Sequence, residues 1–199
     1  MTYEEFYGAD LAKCRRAEEL LLALVSEIEQ AGSGHDDVKP VVYCCSRIKS
    51  PDSTVAKLKT RGLPPDGKTA LLNLYDTVGV RVICAFTEDV QAVVDSIRRS
   101  DLFEVLTEKN YYADPKPNGY RSYHLQLKMK HPDCAGLFAE IQVRTIATDF
   151  WATLEHKMKY KKQLKNEALI REELKRCADE IASVDLSMQT IREILRRES

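Results

Sequence analysis

Between Arg47 and Arg61 the chain carries five basic side chains, Arg47, Lys49, Lys57, Lys59 and Arg61, against one acid, Asp52. Alternation along an extended segment Val41–Lys49 sends Arg47 and Lys49 to the same side. Ser50-Pro51 reads as a helix start, with serine as N-cap and proline at the first helical position. Ser53 and Lys57, four residues apart, then share a face of that helix. The helix start adds free backbone N–H groups and a positive dipole end. Such a set is equipped to hold a triphosphate, and it equally describes a solvated basic helix face.

Asp76 precedes the run Val78-Gly-Val-Arg81-Val-Ile-Cys, in which Arg81 points away from the side that buries Val80 and Val82. An aspartate before a strand is commonly a turn residue. It gains chemical meaning if a second carboxylate faces it, and Glu140 is the candidate. In Ala139-Glu-Ile-Gln-Val-Arg144, alternation groups Glu140, Gln142 and Arg144 on one face, opposite Ala139, Ile141 and Val143. That polar row is either the solvent side of an edge strand or the floor of an active site. Carboxylates from neighbouring strands would suit Mg²⁺, which takes one or two acids and leaves positions for phosphate oxygens. A third segment, Lys116-Pro-Asn-Gly-Tyr-Arg-Ser-Tyr-His124, turns at Asn118-Gly119. Tyr120 is expected to open a strand and to share a face with Ser122, His124 and Gln126. Its ring is either a platform for a purine base or a core tyrosine. His124 either donates to a phosphate or ribose or is hydrogen-bonded locally.

The elements that must position these residues follow from periodicity. Helical spacing of Cys14, Ala17, Leu21, Leu24 and Ile28 predicts a first helix. Strands are expected at Val41–Ile48, Val78–Phe86, Phe103–Glu108, Ser122–Met129 and Leu137–Arg144. Helices are expected from Ser50-Pro51 to about Arg61, over Glu88–Arg99, Thr145–Lys161 and Glu167–Arg197, with a turn at Leu63–Gly67. The fold class is therefore α+β, a mixed sheet flanked by helices with long helices at both ends. The length, 199 residues, suits one domain: residues 1–38 as N-terminal helix and linker, 39–161 as catalytic core, 162–199 as C-terminal helix. Thirty basic against 31 acidic residues leave no overall field for a polyanion, so any phosphate site must be a local patch. The six cysteines form no C-x-x-C pair, which argues against zinc and for reduced core thiols. The acidic N-terminus and the lack of a long apolar run point to a cytoplasmic protein without a membrane span. In the last helix, Ile170, Leu174, Cys177, Ile181, Val184, Met188, Ile191 and Leu195 form a heptad seam. It packs either on its own domain or on a partner subunit's helix, and the length of the repeat favours the partner.

The ordered segments Arg47-x-Lys49-x-x-x-Ser53-x-x-x-Lys57, Tyr75-Asp76-x-x-Gly79-Val-Arg81, Gly119-Tyr-Arg-Ser-Tyr-His124 and Glu140 to His156 resemble the synthetase domain of RelA/SpoT-type (p)ppGpp synthetases. The resemblance spans roughly residues 39 to 161 and implies a nucleotidyltransferase-like sheet, with pyrophosphate passing from ATP to the 3′-hydroxyl of GDP or GTP. By that resemblance Arg47, Lys49, Ser53 and Lys57 would bind the ATP phosphates. Asp76 and Glu140 would hold Mg²⁺, Glu140 would also act as general base, and Arg81 would neutralise the transferred group. Tyr120 would stack on guanine, with Lys116, His124, Gln142 and Asp149 lining the acceptor side. Two positions depart from the family pattern: Lys109 stands where an acceptor-contacting arginine is expected, and Thr60 replaces a basic residue for which Arg61 can substitute. Small family members are similar in being homotetramers. His35-Asp36 matches a hydrolase dipeptide, but it falls in a Gly/Ser loop and reads as linker. A rival reading is an inactive nucleotide- or RNA-binding regulator, suggested by Lys157, Lys159, Lys161, Lys162 and Lys165.

Overall fold

A computed structural model describes residues 1–32, 39–159 and 166–198. The His35-Asp36 loop and Lys161, Lys162 and Lys165 of the basic run lie outside the described residues.

Runs of β-branched and alternating residues make five strands. β1 (Val41–Ile48) pairs antiparallel with β2 (Val78–Cys84), which lies parallel to β5 (Phe138–Thr145). β4 (Tyr123–Met129) pairs antiparallel with β5, and β3 (Phe103–Asn110) with β4. The order is β1-β2-β5-β4-β3, a mixed sheet flanked by helices. β5 is thus central, so its polar row is not the exposed side of an edge strand.

Alternation gives each strand one apolar face. Val80, Val82, Leu125, Leu127, Ile141 and Val143 turn inward against α2 (Asp10–Ala31) and α5 (Thr87–Arg98), whose Leu21, Val25, Val93 and Ile97 are all buried. Each such side chain stabilises the fold by about 1.5–3 kcal/mol through area removed from water. Because this face is sealed by apolar packing, the opposite face of the same strands is the one left for chemistry.

The expected first helix is interrupted at Gly8, giving α1 (Tyr3–Tyr7) before α2. α3 (Pro51–Thr60) starts as anticipated, Ser50 Oγ accepting from Ser53 N at 3.4 Å. The Leu63–Gly67 turn leads directly into a helix not read from the sequence, α4 (Gly67–Asn73). Asp66 caps it, accepting from Thr69 N at 2.8 Å. Gly67 is required by packing, because a Cβ there would lie 2.2 Å from the Phe6 carbonyl oxygen. β4 begins at Tyr123, so Tyr120 precedes the strand instead of opening it. Gly119 has φ +84°, and an added Cβ would sit 2.5 Å from that of Ala178.

α6 (Ile146–Lys159) and α7 (Glu167–Glu198) pack around Trp151, whose indole N–H donates to Leu174 O at 2.8 Å. The heptad seam is divided. Leu174, Cys177 and Ile181 pack on the chain's own Trp151 cluster, while Val184, Met188, Ile191 and Leu195 are exposed. All six cysteines are free, Cys44 turned to the core and Cys45 exposed. No helix among the described residues is long and apolar enough to cross a membrane.

Candidate active site

Strand register assembles the polar residues into two rungs across the sheet. Arg47 lies opposite Gly79, Gly79 opposite Glu140, and Glu140 opposite Gln126. In the second rung Cys45, Arg81, Gln142, His124 and Lys109 follow one another from β1 to β3. Arg47, Asp76, Gly79, Arg81, Glu140 and Gln142 line one open cleft on this face. Gly79 has no side chain, which keeps the floor between Arg47 and Glu140 clear.

Asp76 enters from the turn before β2. The β1–α3 junction is tied to that turn by Lys49 N donating to Thr77 O at 2.8 Å. The side chains converge as well: Lys49 Nζ is 2.8 Å from Asp76 Oδ2, and Lys57 Nζ is 2.7 Å from Oδ1. Burial pushes the Asp76 carboxyl up, but the hydrogen bond from Lys49 and the charges of Lys49 and Lys57 outweigh it and hold it below its ordinary value. Glu140 follows the same pattern. Burial raises its carboxyl, but His124 and Gln142 more than compensate, and the net direction is down. Gln142 Nε2 donates to Glu140 Oε1 at 2.6 Å, and His124 Nδ1 stands 3.6 Å from Oε2. The charge of Asp76 acts upward on Glu140, as expected of acids sharing a cleft.

This donor set fits a hard divalent cation. Both acids offer carboxylate oxygens to an open cleft, and buried Asp76 Oδ1 has an ionic neighbour in Lys57 but no aligned hydrogen-bond donor. Arg81 has capacity for an anion: its Nη1 is 3.3 Å from Asp149 Oδ1, and its buried Nε has no hydrogen-bond partner.

The far side of the cleft is a cluster of rings and cations. Tyr120 is half-buried, its hydroxyl 2.8 Å from His124 Nε2. Lys116 Nζ lies over the Tyr120 ring at 4.7 Å and over the Tyr111 ring at 4.6 Å. Lys109 is exposed and stands opposite His124 in the sheet. Asp149 is buried, its oxygens met by Arg144, Arg81 and Tyr43. Ser53 is exposed at the start of α3 and accepts from Ser50 Oγ at 2.9 Å. Arg61 is not among the residues lining the cleft; it donates to Asn73 O at 3.1 Å and so closes α3 onto α4.

Tyr43 and Tyr111 carry no signal in the sequence that points to this site, and Ser122 and Arg144 carry only the alternation that puts them on its polar face. Arg144 was placed on the correct face by alternation, and only the docking of α6 makes it a buried hub.

The sequence family described as "Region found in RelA / SpoT proteins" matches residues 46–165. The GTP pyrophosphokinase YwaC of Bacillus subtilis (strain 168) is 36% identical over 173 residues, covering 85% of this chain and 81% of that protein. Small alarmone synthetase 1 from Bacillus subtilis, solved with its product pppGpp, superposes with TM-score 0.80 at 29% identity, covering 92% of this chain and 94% of that one. The same enzyme bound to AMPCPP gives TM-score 0.73 at 26% identity, over 94% of this chain and 96% of that one.

Proposed function

Since this chain belongs to the RelA/SpoT family, we propose that it is a GTP pyrophosphokinase that moves pyrophosphate from ATP to the 3′-hydroxyl of GDP or GTP, giving ppGpp or pppGpp and AMP. The observation that carries the reading is the meeting of Asp76 and Glu140, 64 residues apart in sequence, in one cleft lined by Arg47 and Arg81, with Lys49 and Lys57 paired to Asp76.

The roles follow from the charges each part of the cleft presents. Arg47, Lys49, Ser53 and Lys57 bind the ATP phosphates at the β1–α3 junction, with the positive dipole end of α3 beside them. Asp76 and Glu140 would hold Mg²⁺, which when bound would supply neutralisation of phosphate charge. The acceptor's 3′-oxygen attacks the β-phosphorus of ATP. The bond from that phosphorus to the α–β bridging oxygen breaks, and AMP leaves with the oxygen. The hydroxyl proton passes to Glu140, which its neighbours keep ionised and ready to accept it. Arg81, with Nε unpaired, neutralises the group in transit. Tyr120 stacks on guanine, and Lys116, Lys109, His124, Gln142 and Asp149 line the acceptor side. Holding two nucleotides in line while neutralising charge accounts for most of the work in phosphoryl chemistry. We further assign the protein to the cytoplasm and to a homotetramer. The binding-only reading draws no support from a cleft in which both carboxylates are present and ionised.

Incubation with labelled ATP, GDP and Mg²⁺, followed by ion-exchange separation, tests the activity. Labelled ppGpp and unlabelled AMP are expected from ATP labelled at its β-phosphate. Glu140→Gln and Asp76→Asn should keep the circular-dichroism spectrum and lose product by about 100-fold or more. Wild-type protein that returns ATP unchanged would rule the proposal out.

A further inference from the structure

Arg144 has no role in the transfer as described, yet it is the most fully engaged polar side chain near the cleft. Only 5% of it is exposed, although it ends a row of cleft-facing residues on β5. Its guanidinium donates through Nη1 to Asp149 Oδ1 at 2.9 Å and through Nη2 to Tyr120 OH at 2.7 Å and Gln142 Oε1 at 2.8 Å. Nε reaches Ser122 Oγ at 3.4 Å. Asp149 balances the charge, which makes burial of the guanidinium tolerable.

Arginine cannot accept a hydrogen bond and does not lose its proton, so its bonds run in one direction only. Gln142 must turn its carbonyl oxygen to Arg144, and its amide N–H is thereby aimed at Glu140 Oε1, 2.6 Å away. The Tyr120 hydroxyl must accept from Arg144, and its own proton is then free to go to His124 Nε2 at 2.8 Å. In that arrangement His124 carries its proton on Nδ1, the nitrogen 3.6 Å from Glu140 Oε2. Of two chains that start at one guanidinium, one ends in a hydrogen bond to Glu140 Oε1 and the other brings His124 Nδ1 to 3.6 Å from Oε2.

We propose that Arg144 is a positioning residue: as an obligate donor it fixes the direction of both chains, and through them the orientation of Glu140, the His124 tautomer and the setting of the Tyr120 ring. The proposal rests on the synthetase reading for its kinetic consequence and on the geometry alone for the tautomer.

The test reads both. In ¹⁵N spectra of the uncomplexed protein at neutral pH, wild-type His124 should show the Nδ1–H tautomer. Arg144→Gln, whose amide can donate or accept, should shift it toward the Nε2–H form, and Arg144→Lys, again a pure donor, should restore it. Tyr120→Phe removes only the hydroxyl and leaves the Arg144–Asp149 pair intact, so it should lose the tautomer preference even where Arg144→Gln does not fold. In kinetics, Arg144→Gln should raise KM for GDP and lower kcat, each by about tenfold, the scale of one lost charge-assisted hydrogen bond. KM for ATP should stay within about twofold, because its phosphates are held at the opposite rim. An unchanged His124 tautomer in Tyr120→Phe would overturn the proposal. Equal loss toward both nucleotides in Arg144→Gln would overturn it too. Wild-type protein that makes no alarmone would defeat the synthetase reading, while the spectra would still decide the wiring.

Discussion

Lys57 Nζ rests 2.7 Å from Asp76 Oδ1, so a side chain proposed to hold phosphate is paired with one proposed to hold metal. Lys49 completes the clamp at 2.8 Å on the other oxygen. The cations thus stand where a metal would bind, and a triphosphate offers both lysines a stronger anion. Metal and nucleotide should therefore bind together. Titration with Mn²⁺, followed by its electron paramagnetic resonance signal, should show weak binding to the protein alone. A non-hydrolysable ATP analogue should tighten it by at least about tenfold beyond the metal's affinity for the free analogue, and by linkage the metal should tighten the analogue equally. Lys57→Ala should raise affinity for metal alone. Equal metal affinity with and without the analogue would contradict this exchange.

Tyr7 supports that segment from outside the family-matched region. Its hydroxyl donates to Lys49 O at 2.7 Å and lies 3.0 Å from Thr54 Oγ1, holding the β1–α3 junction against α1. Burial pushes its phenol up to about 12, so it remains a neutral donor throughout the working range. Tyr7→Phe keeps the ring packing and strands the Lys49 carbonyl. It should cost about 1 kcal/mol in urea denaturation, the net worth of one buried hydrogen bond. KM for ATP should rise with KM for GDP unchanged, and a rise in the GDP value alone would refute the link.

Residues were legible where the sheet alone sets their direction. Period-two alternation placed Glu140, Gln142 and Arg81 on the open face, and strand register did the rest. Burial set by packing between distant elements was not legible. Arg144 is a polar-row residue in sequence and becomes a hub only when α6 brings Asp149 beside it. α4 was hidden because Pro64-Pro65 reads as a turn, and its Asp66 cap came just after. The clamp on Asp76 joins β1, α3 and the β2 turn, a relation that no local spacing records.

Asp185 gives a pH dependence of defined sign. This buried acid accepts from Thr145 Oγ1 at 2.6 Å, and that same hydroxyl oxygen accepts from Thr148 N at the start of α6. Burial raises its carboxyl, and the hydrogen bond from Thr145 only partly offsets this. An acid whose folded value lies above its unfolded one binds protons more tightly when folded, so stability is lost as pH rises through the interval between them. Asp185→Asn keeps an acceptor for Thr145 and removes the ionisation. The variant should match or exceed wild-type stability at pH 7, and its advantage should disappear below the ordinary value of 3.8. Thermal unfolding across that range measures it, and an advantage that grows on acidification would be the wrong sign.

The divided seam of α7 separates side chains packed on the chain's own core from side chains left facing water. Its C-terminal half is held to the chain by a polar face: Asp185 with Thr145, Gln189 Nε2 3.3 Å from Glu88 Oε2, and Arg192 Nη1 2.7 Å from Asp89 Oδ1. That arrangement leaves Val184, Met188, Ile191 and Leu195 outward, Val184 at 59% exposure and Met188 at 48%. A row of large apolar side chains facing water, with the same helix already anchored on its other side, is the form of a subunit contact. Ile181 belongs to the other half, packed against the Trp151 cluster beside Tyr120. Val184→Glu with Met188→Glu should therefore lower the mass seen by light scattering and leave the melting temperature of the dissociated chain close to that of wild type at matched low concentration. Ile181→Glu should instead lower the melting temperature, because it buries a charge against the chain's own core. An unchanged mass in the double variant would show that this face does not join subunits.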